Sequence, residues 1–216
     1  IYCLKKKMKL SIIIPVYNEA KTIQRIVEKV QRVNLGKIKK EIIIVNDASK
    51  DNSNKIIKSL MKKYKNIKLI NHEKNQGKGS AIRTGLKHFT GDFVIIQDGD
   101  LEYNPEEYKK LIKPILDKKT KVVYGSRMIG KIKGFQIPLH YIGNLGLSLI
   151  TMLIYLRRIT DMETCYKLTT HDVVRSLKLR AKRFDFEPEI TAKIIKKGYK
   201  IIEIPITYNS RSFQEG

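Results

Sequence analysis

Two aspartates at the end of an apolar run, Asp98 and Asp100, have the residue type and spacing that a metal site needs. Carboxylates two positions apart can converge on one cation if the backbone turns between them, and Gly99 permits that turn. Their hard oxygens suit Mg²⁺ or Mn²⁺ better than a soft metal, and such an ion would bridge the oxygens of a diphosphate. Because Asp and Gly are also common in turns, a polar turn without a metal is the alternative.

Polar groups also follow two earlier apolar runs. A carboxylate at Asp47 could accept hydrogen bonds from a nucleobase or ribose, or it could cap the N-terminus of a helix. Pro15, Tyr17 and Glu19 follow the first run and combine a ring with a carboxylate. An ordinary core or surface tyrosine is the alternative interpretation of Tyr17.

Three basic residues are candidates for binding phosphate. Lys78 lies in a glycine-containing segment, residues 75–79, that could approach a phosphate at a helix N-terminus. The segment lacks the spacing of a Walker A loop and has no Ser or Thr after Lys78, so a turn that starts a helix is favoured. Arg127 ends a Gly-Ser-Arg string after another apolar run, where a guanidinium could bind a diphosphate bidentately. Arg211, taken alone, is typical of a surface charge.

Apolar runs and helical stripes alternate along the chain. The pattern predicts strands at residues 10–16, 41–45, 67–71, 93–97, 121–124 and 199–208. Helices are predicted at residues 20–33, 51–64, 79–89, 105–117 and 190–197. This alternation predicts an α/β fold class, with a mostly parallel central sheet flanked by helices. Ligands of such sheets bind beyond the carboxyl ends of the strands, where the candidate residues lie.

The second half contains an apolar segment at residues 135–156 without Asp, Glu, Lys or Arg. Its length approaches that of a membrane span, but a proline, a histidine, two glycines and several polar residues weaken that interpretation. We expect a helical segment lying in a membrane interface or packed on the domain. Residues 1–7 are expected to be an N-terminal extension without the apolar core of a signal peptide. The rest is expected to form one domain.

The composition is strongly basic, with 44 Lys and Arg against 21 Asp and Glu and a formal net charge of +23. Such a chain should attract polyanions, including phosphorylated substrates and an anionic membrane surface, although a lysine-rich surface that aids solubility is an equal alternative. The basic residues are spread along the chain and no nucleic-acid-binding motif is present, so we expect no nucleic-acid partner. The two cysteines form no disulfide framework or metal spacing, which fits a reducing compartment.

Five motifs in order together resemble the family 2 inverting glycosyltransferases, which have the GT-A (Rossmann-like) fold. They lie at residues 11–19 (SIIIPVYNE), 44–51 (IVNDASKD), 75–79 (NQGKG), 97–102 (QDGDLE) and 125–127 (GSR). Residues 161–167 (DMETCYK) and 184–189 (FDFEPE) are similar to the polyprenyl-phosphate branch, which includes dolichol-phosphate mannose synthases and undecaprenyl-phosphate sugar transferases. The resemblance covers nearly the whole chain from Met8 and implies a single GT-A domain at residues 8–216.

The resemblance also implies roles for individual residues. The metal and the donor diphosphate would be held by Asp98, Asp100 and Glu102, the last a position where many relatives have Gln. The nucleotide pocket would be lined by Pro15, Tyr17, Glu19, Asp47 and Gly99. Arg127 and Arg211 would contact phosphates, Arg211 from a mobile loop. Polyprenyl-phosphate synthases often have a basic residue at the start of the apolar helix, where this chain has His140; that histidine could substitute or could have no such role.

The implied reaction is transfer of a sugar from GDP-mannose or a UDP-sugar with inversion at the anomeric carbon. A polyprenyl-phosphate acceptor is already anionic, so catalysis would depend on positioning and charge neutralisation. A saccharide hydroxyl would instead need a carboxylate base, either Glu187 or Asp161, and both could equally be structural. We expect an enzyme on the cytoplasmic face of a membrane, peripherally associated. A transferase acting on a saccharide and a non-catalytic nucleotide-binding module are the alternatives.

Overall fold

The computed structural model describes residues 7–133, residue 146 and residues 156–210. The strands in these residues are β1 (Lys9–Val16), β2 (Lys39–Asn46), β3 (Ile67–Asn71), β4 (Phe93–Ile96), β5 (Val122–Lys133), β6 (Lys167–Thr170) and β7 (Ile201–Asn209). The helices are α1 (Ile23–Arg32), α2 (Ser53–Lys63), α3 (Lys78–His88), α4 (Tyr108–Leu116), α5 (His171–Ser176) and α6 (Phe186–Lys196). A 3₁₀ turn at Pro105–Glu107 leads into α4.

The strands form one sheet in the order β3-β2-β1-β4-β6-β5-β7. β1 pairs in parallel with β2 and β4, β2 pairs in parallel with β3, and β5 pairs in parallel with β7. β6 runs antiparallel to both of its neighbours, β4 and β5. The predicted mostly parallel sheet is confirmed, with one reversed strand inserted between β4 and β5.

The central strands contain runs of isoleucine, whose side chains point to both faces of the sheet and are covered by helices. Ile12, Ile13 and Ile14 are adjacent in β1 and all fully buried, which requires a cover on both faces. Burying each such side chain contributes about 2 kcal/mol relative to leaving it in water. α1 supplies part of the cover through a stripe spaced by three and four residues, consisting of Ile23, Ile26, Val27 and Val30.

The structure differs from the prediction at four elements: two are short, and two are longer than predicted. β6 and α5 have four and six residues, too few for a periodic pattern to reveal them. β5 continues to Lys133, beyond the predicted end at residue 124. α6 begins at Phe186 rather than at residue 190, and Pro188 is tolerated because it falls in the first helical turn.

The predicted apolar segment at residues 135–156 and the predicted extension at residues 1–7 lie almost entirely outside the described residues. Both therefore stay predictions. Among the helices of the described ranges, none has the length and apolar character needed to cross a bilayer.

Candidate functional site

A cavity of about 600 Å³ lies where β1, β2 and β4 end and α3 begins. Eight residues predicted for the site line it: Pro15, Tyr17, Glu19, Asp47, Lys78, Asp98, Gly99 and Asp100. These residues come from four separate segments, and the parallel sheet brings them to one edge, as expected. Within the described part of the chain, Glu102, Arg127 and Glu187 are not among the residues that line this cavity.

The loops after β1 and β2 are joined by side-chain hydrogen bonds. The Asn18 amide donates to Ser49 Oγ at 3.1 Å, and the Lys50 amide donates to Asn18 Oδ1 at 2.8 Å. Asn18 has a φ of 56°, which asparagine tolerates better than most residues. The Glu19 amide donates to Ser53 Oγ at 2.9 Å. Tyr17 is thereby placed at the cavity with 44% of its surface exposed, which leaves its ring available to a ligand.

Asp47 is nearly fully buried and accepts several hydrogen bonds. Its Oδ1 lies 2.6 Å from His72 Nδ1 and 2.9 Å from the Gln76 amide, and its Oδ2 accepts from the Gly77 amide at 2.8 Å. The structure therefore uses Asp47 to fix the loop that precedes α3, rather than to cap the helix after β2. That second duty falls to Asp51, whose Oδ1 accepts from the Ser53 amide at 2.9 Å.

Lys78, the first residue of α3, forms an ion pair with Asp98. Its Nζ lies 2.8 Å from Oδ1 and 3.0 Å from Oδ2 of Asp98, and 3.7 Å from Oε1 of Glu187. Burial alone would lower the pKa of the Lys78 ammonium, but the neighbouring carboxylates outweigh it and raise the pKa well above its usual value. Lys78 therefore carries a fixed positive charge in the cavity, where a diphosphate would be attracted.

The Asp98–Asp100 turn satisfies the main condition for a divalent metal. Asp98 and Asp100 line one cavity and offer only hard carboxylate oxygens, which Mg²⁺ and Mn²⁺ prefer. Across the described residues, no three His, Cys, Asp or Glu side chains are arranged to hold a metal by themselves. Two carboxylates together with substrate phosphates are a common Mg²⁺ environment, so the residues fit an ion that binds with the donor. Glu102 is engaged elsewhere, since its Oε2 accepts a hydrogen bond from the Tyr208 hydroxyl at 2.5 Å.

The glycines at residues 77 and 79 are needed for packing against a loop that sequence reasoning missed. A Cβ at Gly77 would lie 2.6 Å from the Lys182 carbonyl oxygen, and one at Gly79 would lie 2.8 Å from the Arg183 carbonyl oxygen. The Ser80 amide donates to the same Lys182 carbonyl at 2.9 Å. This contact places Arg183 and Phe184 in the cavity lining, with 76% of Phe184 exposed. The only sequence signal was that Phe184 begins one of the quoted motifs.

Arg127 pairs with Asp161 instead of lining the cavity. Its Nε and Nη2 donate to Oδ2 and Oδ1 of Asp161, each at 2.8 Å, and its backbone amide donates to Oδ2 at 2.8 Å. Burial lowers the pKa of Arg127 but the hydrogen bonds to Asp161 more than compensate, so the guanidinium stays charged. Asp161 is fully buried, and its bidentate contact supports the structural interpretation of that carboxylate over the general-base one.

Further charged groups with little exposure lie beyond Lys78, and two of them, Glu163 and Lys167, have no role in the sequence analysis. Glu187 is almost fully buried, and its Oε2 has no hydrogen-bond partner among the described residues. Lys167 is fully buried and donates through Nζ to the carbonyls of Met162, at 2.8 Å, and Thr164. Burial lowers the pKa of Lys167 and raises that of Glu163. Lys167 thus holds the 161–164 loop in place, a role that its position in a quoted motif did not indicate.

Two predicted site residues, Arg211 and His140, lie outside the described residues. Their roles as phosphate contacts stay predictions.

Comparison with known proteins agrees with this architecture. The model of glycosyl transferase family 2 matches residues 11–180. A UDP-N-acetylglucosamine–dolichyl-phosphate N-acetylglucosaminyltransferase of Methanococcus voltae is 34% identical over 213 residues, covering 90% of this chain and 83% of the relative. A dolichyl-phosphate β-glucosyltransferase of Trichomonas vaginalis is 31% identical over 212 residues, covering 93% of this chain. The alignment spans 65% of the length of that Trichomonas relative.

Solved structures show the same fold. Glucosyl-3-phosphoglycerate synthase from Mycobacterium tuberculosis, in complex with Mn²⁺, UDP and glucosyl-3-phosphoglycerate, aligns with a TM-score of 0.74 at 16% identity. The alignment covers 96% of this chain and 74% of that chain. A structure of the same enzyme with Mg²⁺ and UDP aligns with a TM-score of 0.72. The likeness confirms the predicted GT-A fold.

Proposed function

Because this chain belongs to glycosyl transferase family 2, we propose that it transfers a sugar from a nucleotide diphosphate donor to a polyprenyl phosphate. The observation that carries the proposal is the cavity where Asp47, Lys78, Asp98 and Asp100 meet. It offers an acceptor for a nucleoside, a fixed cation for a diphosphate and two hard carboxylates. Two relatives at 31% and 34% identity are named for transfer to dolichyl phosphate, which supports a polyprenyl-phosphate acceptor. The second is also named for UDP-N-acetylglucosamine, which supports a nucleotide-sugar donor; we propose a UDP-sugar or a GDP-sugar.

We propose that Asp98 and Asp100 would hold Mg²⁺ or Mn²⁺ together with the donor. Glu102, predicted as a third carboxylate, accepts from the Tyr208 hydroxyl outside the cavity lining and would join them only on leaving that contact. When bound, such an ion supplies neutralisation of the charge on the departing diphosphate. The presence of Mn²⁺ or Mg²⁺ with UDP in the mycobacterial structures supports this assignment.

The residues of the chain itself would orient the donor. Asp47 accepts a hydrogen bond from the nucleoside, the half-exposed Tyr17 ring offers a stacking surface, and Lys78 attracts the diphosphate. A lipid phosphate is anionic near neutral pH, so it attacks the anomeric carbon without a strong general base. The contribution of the protein is then positioning and charge neutralisation. Arg211 is the predicted phosphate contact; Arg127, the second predicted contact, is paired with Asp161 and would have to leave that pair to reach a phosphate.

A saccharide acceptor is the second candidate, and Glu187 is the observation that favours it. Its Oε2 has no hydrogen-bond partner among the described residues, and its Oε1 lies 3.7 Å from Nζ of the cavity residue Lys78, so Glu187 has an acceptor position directly behind the cavity lining. In that reaction Glu187 would take the proton of the attacking hydroxyl.

The proposed location is the cytoplasmic face of a membrane, with peripheral attachment. The net charge of +23 supports attraction to an anionic surface. The apolar segment at residues 135–156 would provide the interfacial contact.

The test is transfer of labelled sugar into a lipid phase. The protein is incubated with Mg²⁺ or Mn²⁺, a polyprenyl phosphate and a panel of radiolabelled GDP-sugars and UDP-sugars, and label is counted after extraction into organic solvent. Asp100→Ala is compared with Asp117→Ala, an exposed aspartate in the turn after α4. Metal-dependent label that is lost only in Asp100→Ala supports the proposal and identifies the donor.

Two other outcomes decide against parts of it. Donor consumption only with an added saccharide would replace the lipid acceptor by the second candidate. Nucleotide binding without turnover of any donor would indicate a non-catalytic binding module.

A further inference from the structure

His72 has no role in the mechanism above, yet it lies in contact with Asp47. Asn46 and Asn71, the last residues of β2 and β3, are paired in register, and Asn46 Nδ2 donates to Asn71 Oδ1 at 2.9 Å. Asp47 directly follows β2 and His72 directly follows β3, and the His72 amide donates to the Asn46 carbonyl at 2.9 Å. The ends of two parallel strands therefore bring the carboxylate and the imidazole side by side.

The imidazole links Asp47 to helix α3. Its Nδ1 lies 2.6 Å from Asp47 Oδ1, and its Nε2 lies 2.9 Å from Thr84 Oγ1. The side chains of His72 and Asp47 are 7% and 4% exposed. A carboxylate only accepts, so Nδ1 donates; a neutral ring then accepts the Thr84 hydroxyl hydrogen at Nε2. Asp47 thus sets the tautomer of His72, Thr84 fixes the orientation of the ring through Nε2, and the ring in turn helps to orient the Asp47 carboxylate.

The hydrogen bonds of Asp47 leave room for a ligand. A carboxylate has about four acceptor positions. His72 Nδ1 and the Gln76 amide donate to Oδ1, and the Gly77 amide donates to Oδ2, to which the Gln76 amide also lies at 3.2 Å. The Gln76 amide is shared between both oxygens and lies closer to Oδ1. Because Asp47 also lines the cavity, Oδ2 can exchange the longer of these contacts for an N–H or O–H group of a bound nucleoside.

We propose that His72 and Thr84 are positioning residues for the nucleotide-sugar donor, acting through Asp47. The inference rests on the proposed function and adds residues that hold its donor site in shape. Without the imidazole, only the backbone amides of Gln76 and Gly77 hold the carboxylate, so its orientation towards the nucleoside is less well fixed. The groups around the diphosphate, Lys78, Asp98 and Asp100, are held by other contacts, so the loss falls on donor binding rather than on turnover.

The test measures binding and turnover separately. Calorimetry gives the Kd of UDP and GDP in the presence of Mn²⁺, and the lipid-transfer assay gives the donor KM and kcat. His72→Leu removes both imidazole contacts, His72→Asn retains an amide donor near the position of Nδ1, and Thr84→Val removes only the hydroxyl. His88→Leu, an exposed histidine at the end of the same helix, is the matched control.

His72→Leu should weaken nucleotide binding and raise the donor KM by about 10- to 100-fold, the effect of one hydrogen bond to a charged group. His72→Asn should recover most of the loss, and Thr84→Val should show a smaller change in the same direction. The kcat at saturating donor should change by less than about 2-fold, because the variant loses the same binding energy in the ground state and in the transition state. His88→Leu should match the wild type.

Equal losses in His72→Leu and His72→Asn would overturn the proposal, as would a fall in kcat at unchanged Kd. If His72→Leu does not fold, His72→Asn and Thr84→Val decide the question. Unchanged nucleotide binding in Thr84→Val would overturn the role of the hydrogen bond between Thr84 and His72. A wild-type protein that binds neither UDP nor GDP would overturn the proposed function as well. Wild-type binding with unaffected variants would overturn the role of His72 and Thr84 alone.

Discussion

Replacing Gly77 by alanine should cost far more stability than its position in a surface loop suggests. Gly77 has φ 91° and ψ 161°, a backbone region that is almost restricted to glycine. An added Cβ would also lie 2.6 Å from the Lys182 carbonyl oxygen and 2.8 Å from Arg183 Cγ. The long Arg183 side chain can move away, but the backbone carbonyl moves only if the whole loop shifts.

The expected loss can be built from these two contributions. The backbone conformation costs about 1–3 kcal/mol for a residue other than glycine. Moving the Lys182 carbonyl breaks its 2.9 Å hydrogen bond from the Ser80 amide, a further loss of about 1 kcal/mol. The free energy of unfolding should therefore fall by about 2–4 kcal/mol. Because the Gly77 amide also donates to Asp47, nucleotide binding should weaken in the same variant.

Urea unfolding of Gly77→Ala and Gly198→Ala gives the comparison that isolates the contact. Gly198 also has a positive φ, 78°, but no described heavy atom lies within 4 Å of its added Cβ. Its replacement should cost about 1–2 kcal/mol, the penalty of the left-handed backbone alone. Equal losses of unfolding free energy in the two variants would refute the claim that Gly77 is required for the approach of the 181–183 loop.

Two further substitutions test buried and half-buried charges. Arg127→Met removes the guanidinium partner of the fully buried Asp161 and should lower the free energy of unfolding in urea by about 3–5 kcal/mol. Adding Asp161→Asn should recover part of this loss. A loss below about 1 kcal/mol in Arg127→Met would contradict the pairing. Burial raises the pKa of Glu41, but hydrogen bonds from Ser11 and Thr90 outweigh it and lower the pKa overall. Glu41 therefore stabilises the fold above its unfolded pKa of about 4.3, and the advantage over Glu41→Gln should shrink between about pH 5 and pH 3; a constant advantage would contradict it.

The fold could be predicted from the sequence wherever a periodic pattern was long enough. β1, β2 and α1 are examples, because the apolar residues whose spacing predicts each element are the residues that the structure buries. β6 has four residues and follows a segment without periodicity, so its reversed direction was invisible. The early start of α6 was hidden by Pro188, which usually indicates an end of a helix rather than its first turn.

The site was predicted as far as strand ends could indicate it. Residues directly after β1, β2 and β4 share a cavity because parallel strands end at one edge. The pairing of Lys78 with Asp98, and of Arg127 with Asp161, joins residues 20 and 34 positions apart, and no local pattern indicates either contact. His72 was missed for the same reason: a single histidine after a strand becomes informative only when its partners are known.

The reversed strand β6 separates the sheet into two sets of parallel strands. β3, β2, β1 and β4 form one parallel block whose ends carry the cavity, while β5 and β7 form a second parallel block that carries Arg127. The two blocks are joined through β6 by two registered residue pairs with β4 and three with β5. A second connection lies outside β6: Tyr103 and Tyr208 form an isolated bridge, and the Asn209 amide donates to the Glu102 carbonyl at 2.9 Å. The strand set that carries Arg127 is therefore tied directly to the loop that follows Asp98 and Asp100, so a change in that loop is transmitted to β7 without passing through β6.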